Sequence, residues 1–254
     1  MDLNYKSYGQ GDPIIILHGL FGTLDNWQTI AKKLAEEYSV YTVDQRNHGR
    51  SPHCPEMNYK VMAEDLHLFL EKQWIHKAVV LGHSMGGKTA MQFALDFPEM
   101  VEKLIVVDIS PFLNNGGHEL IFESLLAMDL KKIKSRKDAE DFLSDKIPSF
   151  GVRQFLLKNL SRNKEGEYSW KMNLPVIYDQ YSEILAKVNV VDPFEGETLF
   201  IRGGLSNYIS EAEFPLFKSI FPNSQLQTIE NSGHWVHSEQ PDQLLEMTLN
   251  FLKN

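Results

Sequence analysis

The sequence predicts an α/β protein: a mostly parallel sheet with helices on both faces and a helical cap inserted between two strands. Three observations predict it. Short β-branched apolar runs alternate with segments of helical spacing, as parallel strands joined by crossover helices require. The alternation breaks once, over residues 111–195, which read as mainly helical, carry charge clusters such as Lys131 and Lys132, and show no strong strand. And a serine flanked by glycines, in Gly82-His83-Ser84-Met85-Gly86-Gly87, stands between an apolar run and a helix.

The elements follow in order. Ile14, Ile15, Ile16 and Leu17, bounded by Pro13 and Gly19, form a buried strand. Residues 25–38 space Trp27, Ile30, Leu34 and Ala35 as a helix does, and residues 40–44 form the next strand. Residues 59–74 put Met62, Leu66, Phe69 and Leu70 on one helical face. Strands at 78–81 and 104–108 enclose a helix over residues 88–95, directly after the glycine-flanked serine. Beyond the insertion, strands are predicted at 198–201 and 225–229. A closing helix spans 240–252, with Leu244, Leu245, Leu249 and Leu252 apolar. The main body therefore comprises residues 1–110 and 196–254, with the cap at 111–195.

A chain of 254 residues with 43% hydrophobic and 23% charged residues suits one large globular domain with an inserted segment. Its net charge of -9, without a basic run, disfavours nucleic acid or an anionic membrane as partner. The single cysteine, Cys54, cannot form an internal disulfide and has no ligand cluster around it. No apolar run reaches bilayer-spanning length, and the start lacks a basic segment followed by an apolar one, so a cytoplasmic location without membrane insertion is expected. A monomer or homodimer is expected. Nothing in the sequence calls for a metal or an organic cofactor.

The chemistry centres on Ser84. A tight turn between strand and helix lifts its hydroxyl above the sheet, and small neighbours are needed to make that turn. Acyl transfer by serine also needs a base, an acid that orients the base, and donors for the oxyanion. His234, in Gly233-His234-Trp235 after the last strand, is the expected base. His83 and His237 are read as structural. His18-Gly19-Leu20-Phe21-Gly22 supplies the expected oxyanion loop, with the backbone N–H groups of Leu20 and Met85 as donors and Phe21 as the alternative to Leu20.

The acid is less direct. After the strand at 198–201, where a carboxylate is commonest, the chain reads Arg202-Gly203-Gly204-Leu205-Ser206-Asn207-Tyr208 and offers none. Asp108 ends the preceding strand at the same sheet edge and one strand nearer Ser84, so it is the expected acid; capping of the following turn is its alternative role. Glu211 and Asp192 are more distant choices. Asp44, in the stretch 44–51, is read as organising a turn beside the site.

Together His18-Gly19, the turn at 44–51, the elbow at Ser84 and Gly233-His234 resemble the α/β-hydrolase superfamily over nearly the whole chain. Arg46-Asn47-His48-Gly49, Val107-Asp108-Ile109-Ser110-Pro111 and Gly233-His234-Trp235-Val236-His237 look like the YbfF-type bacterial carboxylesterases. The resemblance implies an α/β-hydrolase fold and a serine hydrolase for small-molecule carboxylic esters or thioesters of small to medium acyl chains, acyl-CoA included. It also implies a helical cap over the site. Phe21, Phe112, Trp170, Tyr178, Tyr181, Tyr208 and Trp235 are the expected lining residues, beside Met85. Lys88 and Arg202 stand as either anion contacts or salt-bridged residues. A carbon–carbon bond hydrolase on the same triad and a small-ligand sensor are the alternative functions.

Overall fold

A computed structural model of the chain describes residues 1–253. The strands are β1 (Tyr5–Tyr8), β2 (Pro13–Leu17), β3 (Ser39–Val43), β4 (Ala78–His83), β5 (Val101–Val107), β6 (Leu160–Arg162), β7 (Tyr168–Trp170), β8 (Thr198–Gly203) and β9 (Ser224–Ile229). The α-helices of the body are α1 (Gln28–Leu34), α2 (Tyr59–Lys72) and α3 (Met85–Asp96) before the insertion. Within the insertion lie α4 (Glu119–Leu126), α5 (Arg136–Ser144), α6 (Phe150–Leu157), α7 (Leu174–Asp179) and α8 (Tyr181–Leu185). The short α9 (Phe214–Phe217) and α10 (Val236–Glu239) and the long α11 (Pro241–Lys253) complete the body.

Seven strands form one sheet in the order β1-β3-β2-β4-β5-β8-β9, parallel except for β1. Alternate residues of β2 and β4 face opposite cores. Ile15, Leu17 and Val80 pack with Leu66, Phe69 and Phe93 on one side. Ile14, Ile16 and Leu81 pack with Trp27, Ile30, Leu34 and Phe251 on the other. Burial on both faces explains why these strands read as unbroken apolar runs.

Register sets the active edge. Leu17 lies opposite Gly82, Gly82 opposite Val106, and Val107 opposite Ile201. The strand ends carrying His18, Ser84, Asp108 and Gly203 therefore emerge side by side.

The inserted segment begins and ends at one place: Val188 N–H donates to Pro111 O (2.9 Å) and Asn114 N–H to Leu185 O (3.0 Å). Its own apolar core, with Phe122, Leu143, Leu156 and Ile177, is continuous with Leu20, Phe21 and Met85 of the body. It thus rests directly on the predicted oxyanion loop and the elbow. Its pattern concealed the β6–β7 hairpin, whose strands of three residues are too short and too exposed to carry a periodic signal. β1 escaped for a related reason: it is an exposed antiparallel edge strand with no apolar run. The helix expected over 25–38 is a 3₁₀ turn at Leu24–Trp27 followed by α1.

Candidate active site

Ser84 follows β4 directly, with φ 53° and ψ -121°. This strained backbone, of a kind costing about 1–3 kcal/mol, is held because the elbow packs against its neighbours. A Cβ on Gly86 would come within 2.4 Å of Leu17 O, so the turn tolerates no side chain there. Asp108 (φ 51°) and Phe21 (φ 59°) share the positive-φ region. Three non-glycine residues at one sheet edge are thus held in unfavourable backbone.

Their side chains converge. The Ser84 hydroxyl lies 2.9 Å from His234 Nε2. His234 Nδ1 lies 2.8 Å from Asp108 Oδ2. Asp108 is completely buried, and Oδ1 accepts Gly203 N–H (3.0 Å). Oδ2 also accepts the Ser206 hydroxyl. With Asp108 an acceptor, the His234 ring carries its proton on Nδ1 and turns a lone pair on Nε2 toward Ser84. Tyr208 stacks on the His234 ring, 3.9 Å between centroids and 20° between planes. Ser206 occupies the stretch where the sequence lacked a carboxylate. It stays in the site as a donor to the carboxylate that came from β5.

The loop of residues 18–22, expected to hold the oxyanion, runs against the serine: a Cβ on Gly19 would stand 3.2 Å from Ser84 Cβ. Met85 opens α3, where an N–H has no intrahelical acceptor. From the inserted segment, Asn159 Nδ2 donates to Phe21 O (2.6 Å) and fixes the loop from above. Asp44 fixes it from behind. Its Oδ1 accepts Leu24 N–H (2.8 Å) and its Oδ2 accepts Asn4 Nδ2 (2.7 Å) and Arg50 N–H (2.9 Å), in the turn role expected of it.

Two cavities open at Ser84. One, of about 20 Å³, is lined by Phe21, Trp27, Phe155 and Trp235 among others. The second, also of about 20 Å³, is lined by Tyr59, Met85, Ile109, Tyr181 and Tyr208 among others. Phe21, Met85, Tyr181, Tyr208 and Trp235 thus line cavities that open at Ser84. Phe112, Trp170 and Tyr178 do not. Phe112 packs against Phe217 of the body, Trp170 is held in the hairpin opposite Leu160, and Tyr178 is half exposed against Phe122. Aromatic composition alone cannot distinguish a pocket wall from packing inside the segment.

Lys88 and Arg202 are not free to meet an anion. Lys88 is completely buried. Its ammonium donates to Phe112 O (2.7 Å), Leu185 O (3.1 Å) and Ala186 O (2.5 Å), tying α3 to both roots of the inserted segment. Burial pushes its value down to about 7. Arg202 pairs with Glu211 (2.9 Å) and donates to Thr228 Oγ1 and Ile209 O. That ion pair also occupies Glu211, while Asp192 is exposed. Neither approaches the imidazole. Among the described residues no group of three or more His, Cys, Asp or Glu is placed to hold a metal ion. No helix there is long and apolar enough to cross a membrane.

Beneath the site lies a layer of buried histidines. His83 Nε2–H donates to His234 O (2.8 Å), and His237 stacks on Trp27 with centroids 4.8 Å apart. His18 donates from Nδ1 to Gly19 O (2.8 Å) and accepts Gln45 N–H at Nε2 (3.0 Å). His48 packs against His18. Burial lowers all four below the ordinary 6.5, His48 and His237 to about 3. Between pH 6.5 and 3 the unfolded chain therefore binds more protons than the fold. Stability is complete above 6.5 and falls with pH, by about 1.4 kcal/mol per pH unit for each such ring. Thermal unfolding at pH 5 is expected about 10 °C or more below that at pH 7. A level Tm across that interval would show that the rings are not buried neutral.

These features, a parallel sheet with a serine elbow and a histidine after its last strand, define a class. The alpha/beta hydrolase fold family matches residues 12–241, and the chain belongs to it. It is 39% identical over 264 residues to the sn-1-specific diacylglycerol lipase ABHD11 of Danio rerio, covering 100% of this chain and 83% of that protein. It is 37% identical over 243 residues to the Esterase YbfF of Escherichia coli (strain K12), covering 95% and 93%. A solved structure described as a marine microorganism esterase matches with TM-score 0.96 and 43% identity, over 98% of this chain and 99% of that one. The likeness to YbfF-type esterases read from the motifs extends over 95% of the chain.

Proposed function

We propose that the chain is a serine hydrolase of carboxylic esters and thioesters. The observation that carries this reading is the unbroken relay Ser84–His234–Asp108, with contacts of 2.9 and 2.8 Å. Ser84 Oγ attacks the acyl carbon as its proton passes to His234 Nε2. Asp108 stabilises the imidazolium, and the N–H groups of Leu20 and Met85 hold the oxyanion. His234 then protonates the departing alkoxide or thiolate, leaving an acyl-Ser84. Water, deprotonated by the same imidazole, attacks the acyl carbon; collapse returns the proton to Ser84 and frees the acid. No step needs a metal or organic cofactor.

In the same reading residues 111–195 form a cap on a body of residues 1–110 and 196–254. The cap closes the two cavities and limits substrates to small and medium acyl chains. Relatives named as esterase and lipase support the reaction class. The carbon–carbon hydrolase and sensor readings gain no feature of their own here.

The test is hydrolysis of p-nitrophenyl esters of increasing acyl length, with an acyl-CoA series beside it. A chain-length optimum with a p-nitrophenol burst is the expected result. Absence of turnover on every member would overturn the proposal.

A further inference from the structure

Leu20, Ser84 and His118 belong to the linings of both cavities. The proposed mechanism uses the first two; His118 has no part in it. It lies just ahead of α4, on the inserted segment, and its ring meets the Phe21 ring edge-on at 5.9 Å. His118 Nδ1 is 2.8 Å from the Tyr181 hydroxyl. That hydroxyl accepts the backbone N–H of His118 (3.3 Å). Its one proton then goes to Nδ1, the acceptor within reach, rather than being left unpaired at half-buried depth. The neutral ring therefore carries its hydrogen on Nε2, which has no partner among the described residues. Burial, with the neighbouring His234, pushes this imidazole down to about 4. At neutral pH it is a fixed donor and not a competing cation.

Resting on the esterase reading, we infer that His118 Nε2–H is a specificity-determining donor to a second oxygen of the substrate. The carbonyl oxygen is taken by the amides of Leu20 and Met85, and the leaving atom by His234. His118 lines both cavities beside Ser84, so the oxygen it meets belongs to a group close to the scissile carbonyl. Esters with an ether, hydroxyl or further ester oxygen there are preferred to plain alkyl esters of the same shape. The oxygen can belong to the acyl or the alcohol portion, and the experiment separates the two.

Three esters serve: butyl pentanoate, 2-methoxyethyl pentanoate and butyl 3-methoxypropanoate, followed by proton release. The readout is kcat/KM for each methoxy ester divided by that for butyl pentanoate. Comparing this ratio between wild type and variant cancels intrinsic reactivity. His118→Phe keeps the ring and removes Nε2–H. It is expected to lower one of the two ratios by about tenfold, and which one falls identifies the portion that carries the oxygen. Tyr181→Phe leaves the imidazole but frees its tautomer, and is expected to lower the same ratio by about threefold. It carries the test alone if the first variant does not fold. Both ratios staying within about twofold of wild type in the folded variants, with Ser84-dependent turnover of butyl pentanoate intact, overturns the inference alone. Wild-type turnover that survives Ser84→Ala overturns the esterase reading and the inference with it.

Discussion

Ser84→Ala is expected to lower kcat on an activated ester by about 10⁴- to 10⁶-fold. The substitution removes the atom that forms the acyl intermediate and changes little else. The residual rate comes from the oxyanion amides and the binding cavities, which remain. Ala takes the same strained backbone as Ser, and the lost hydroxyl made one contact, to His234 Nε2. The Tm should therefore stay within a few degrees of wild type, about 1 kcal/mol in stability. Burst kinetics and a melting curve on one preparation separate the two effects. A rate within tenfold of wild type would remove Ser84 from the mechanism.

Asp108→Asn is expected to lower kcat by about 10⁴-fold. The argument follows the hydrogen bonds. The Asn oxygen takes over Oδ1 and keeps the Gly203 N–H. Its Nδ2 then faces His234 Nδ1 and the Ser206 hydroxyl, where Asp108 accepts from both. The hydroxyl can rotate to accept. The imidazole must move its proton to Nε2, and so presents an N–H to Ser84 where it needs a lone pair. The imidazolium formed during attack also loses its countercharge in a completely buried position. The check is kcat with the ester that wild type turns over fastest, alongside near-native circular dichroism. A nearly wild-type rate would place the acid elsewhere. Glu211 is already bound to Arg202 and Asp192 is exposed, so such a result would also require a rearranged loop.

Strand segments buried on both faces are apolar, so β2, β4, the 104–107 stretch of β5 and the 199–201 stretch of β8 were readable as runs. The serine elbow was readable because its turn excludes larger side chains. The meeting of Asp108 with His234 was expected because β8 ends without a carboxylate and Asp108 ends the neighbouring strand at the same sheet edge. Elements with exposed faces or few residues left no such trace, as β1 and the β6–β7 hairpin show. Side-chain roles depended on partners far along the chain. Ser206 meets a carboxylate 98 residues away, and Asn159 meets a carbonyl 138 residues away. Lys88, which by composition suits an anion site, is instead spent on three carbonyls at the roots of the inserted segment.

The sequence by itself determined the sheet, the elbow, the place of His234 after the last strand and the break at residues 111–195. Each follows from burial or backbone geometry felt within a few residues. The tertiary structure alone decided that Ser206 donates to Asp108, that Asn159 donates to Phe21 O, and that His118 lines the same cavities as Ser84. It also left Phe112, Trp170 and Tyr178 outside the cavities. The physical reason is register. Periodicity in a sequence reports which face of an element is buried. The identity of the group across the gap is fixed by how strand ends align, and by where the inserted segment comes down upon them.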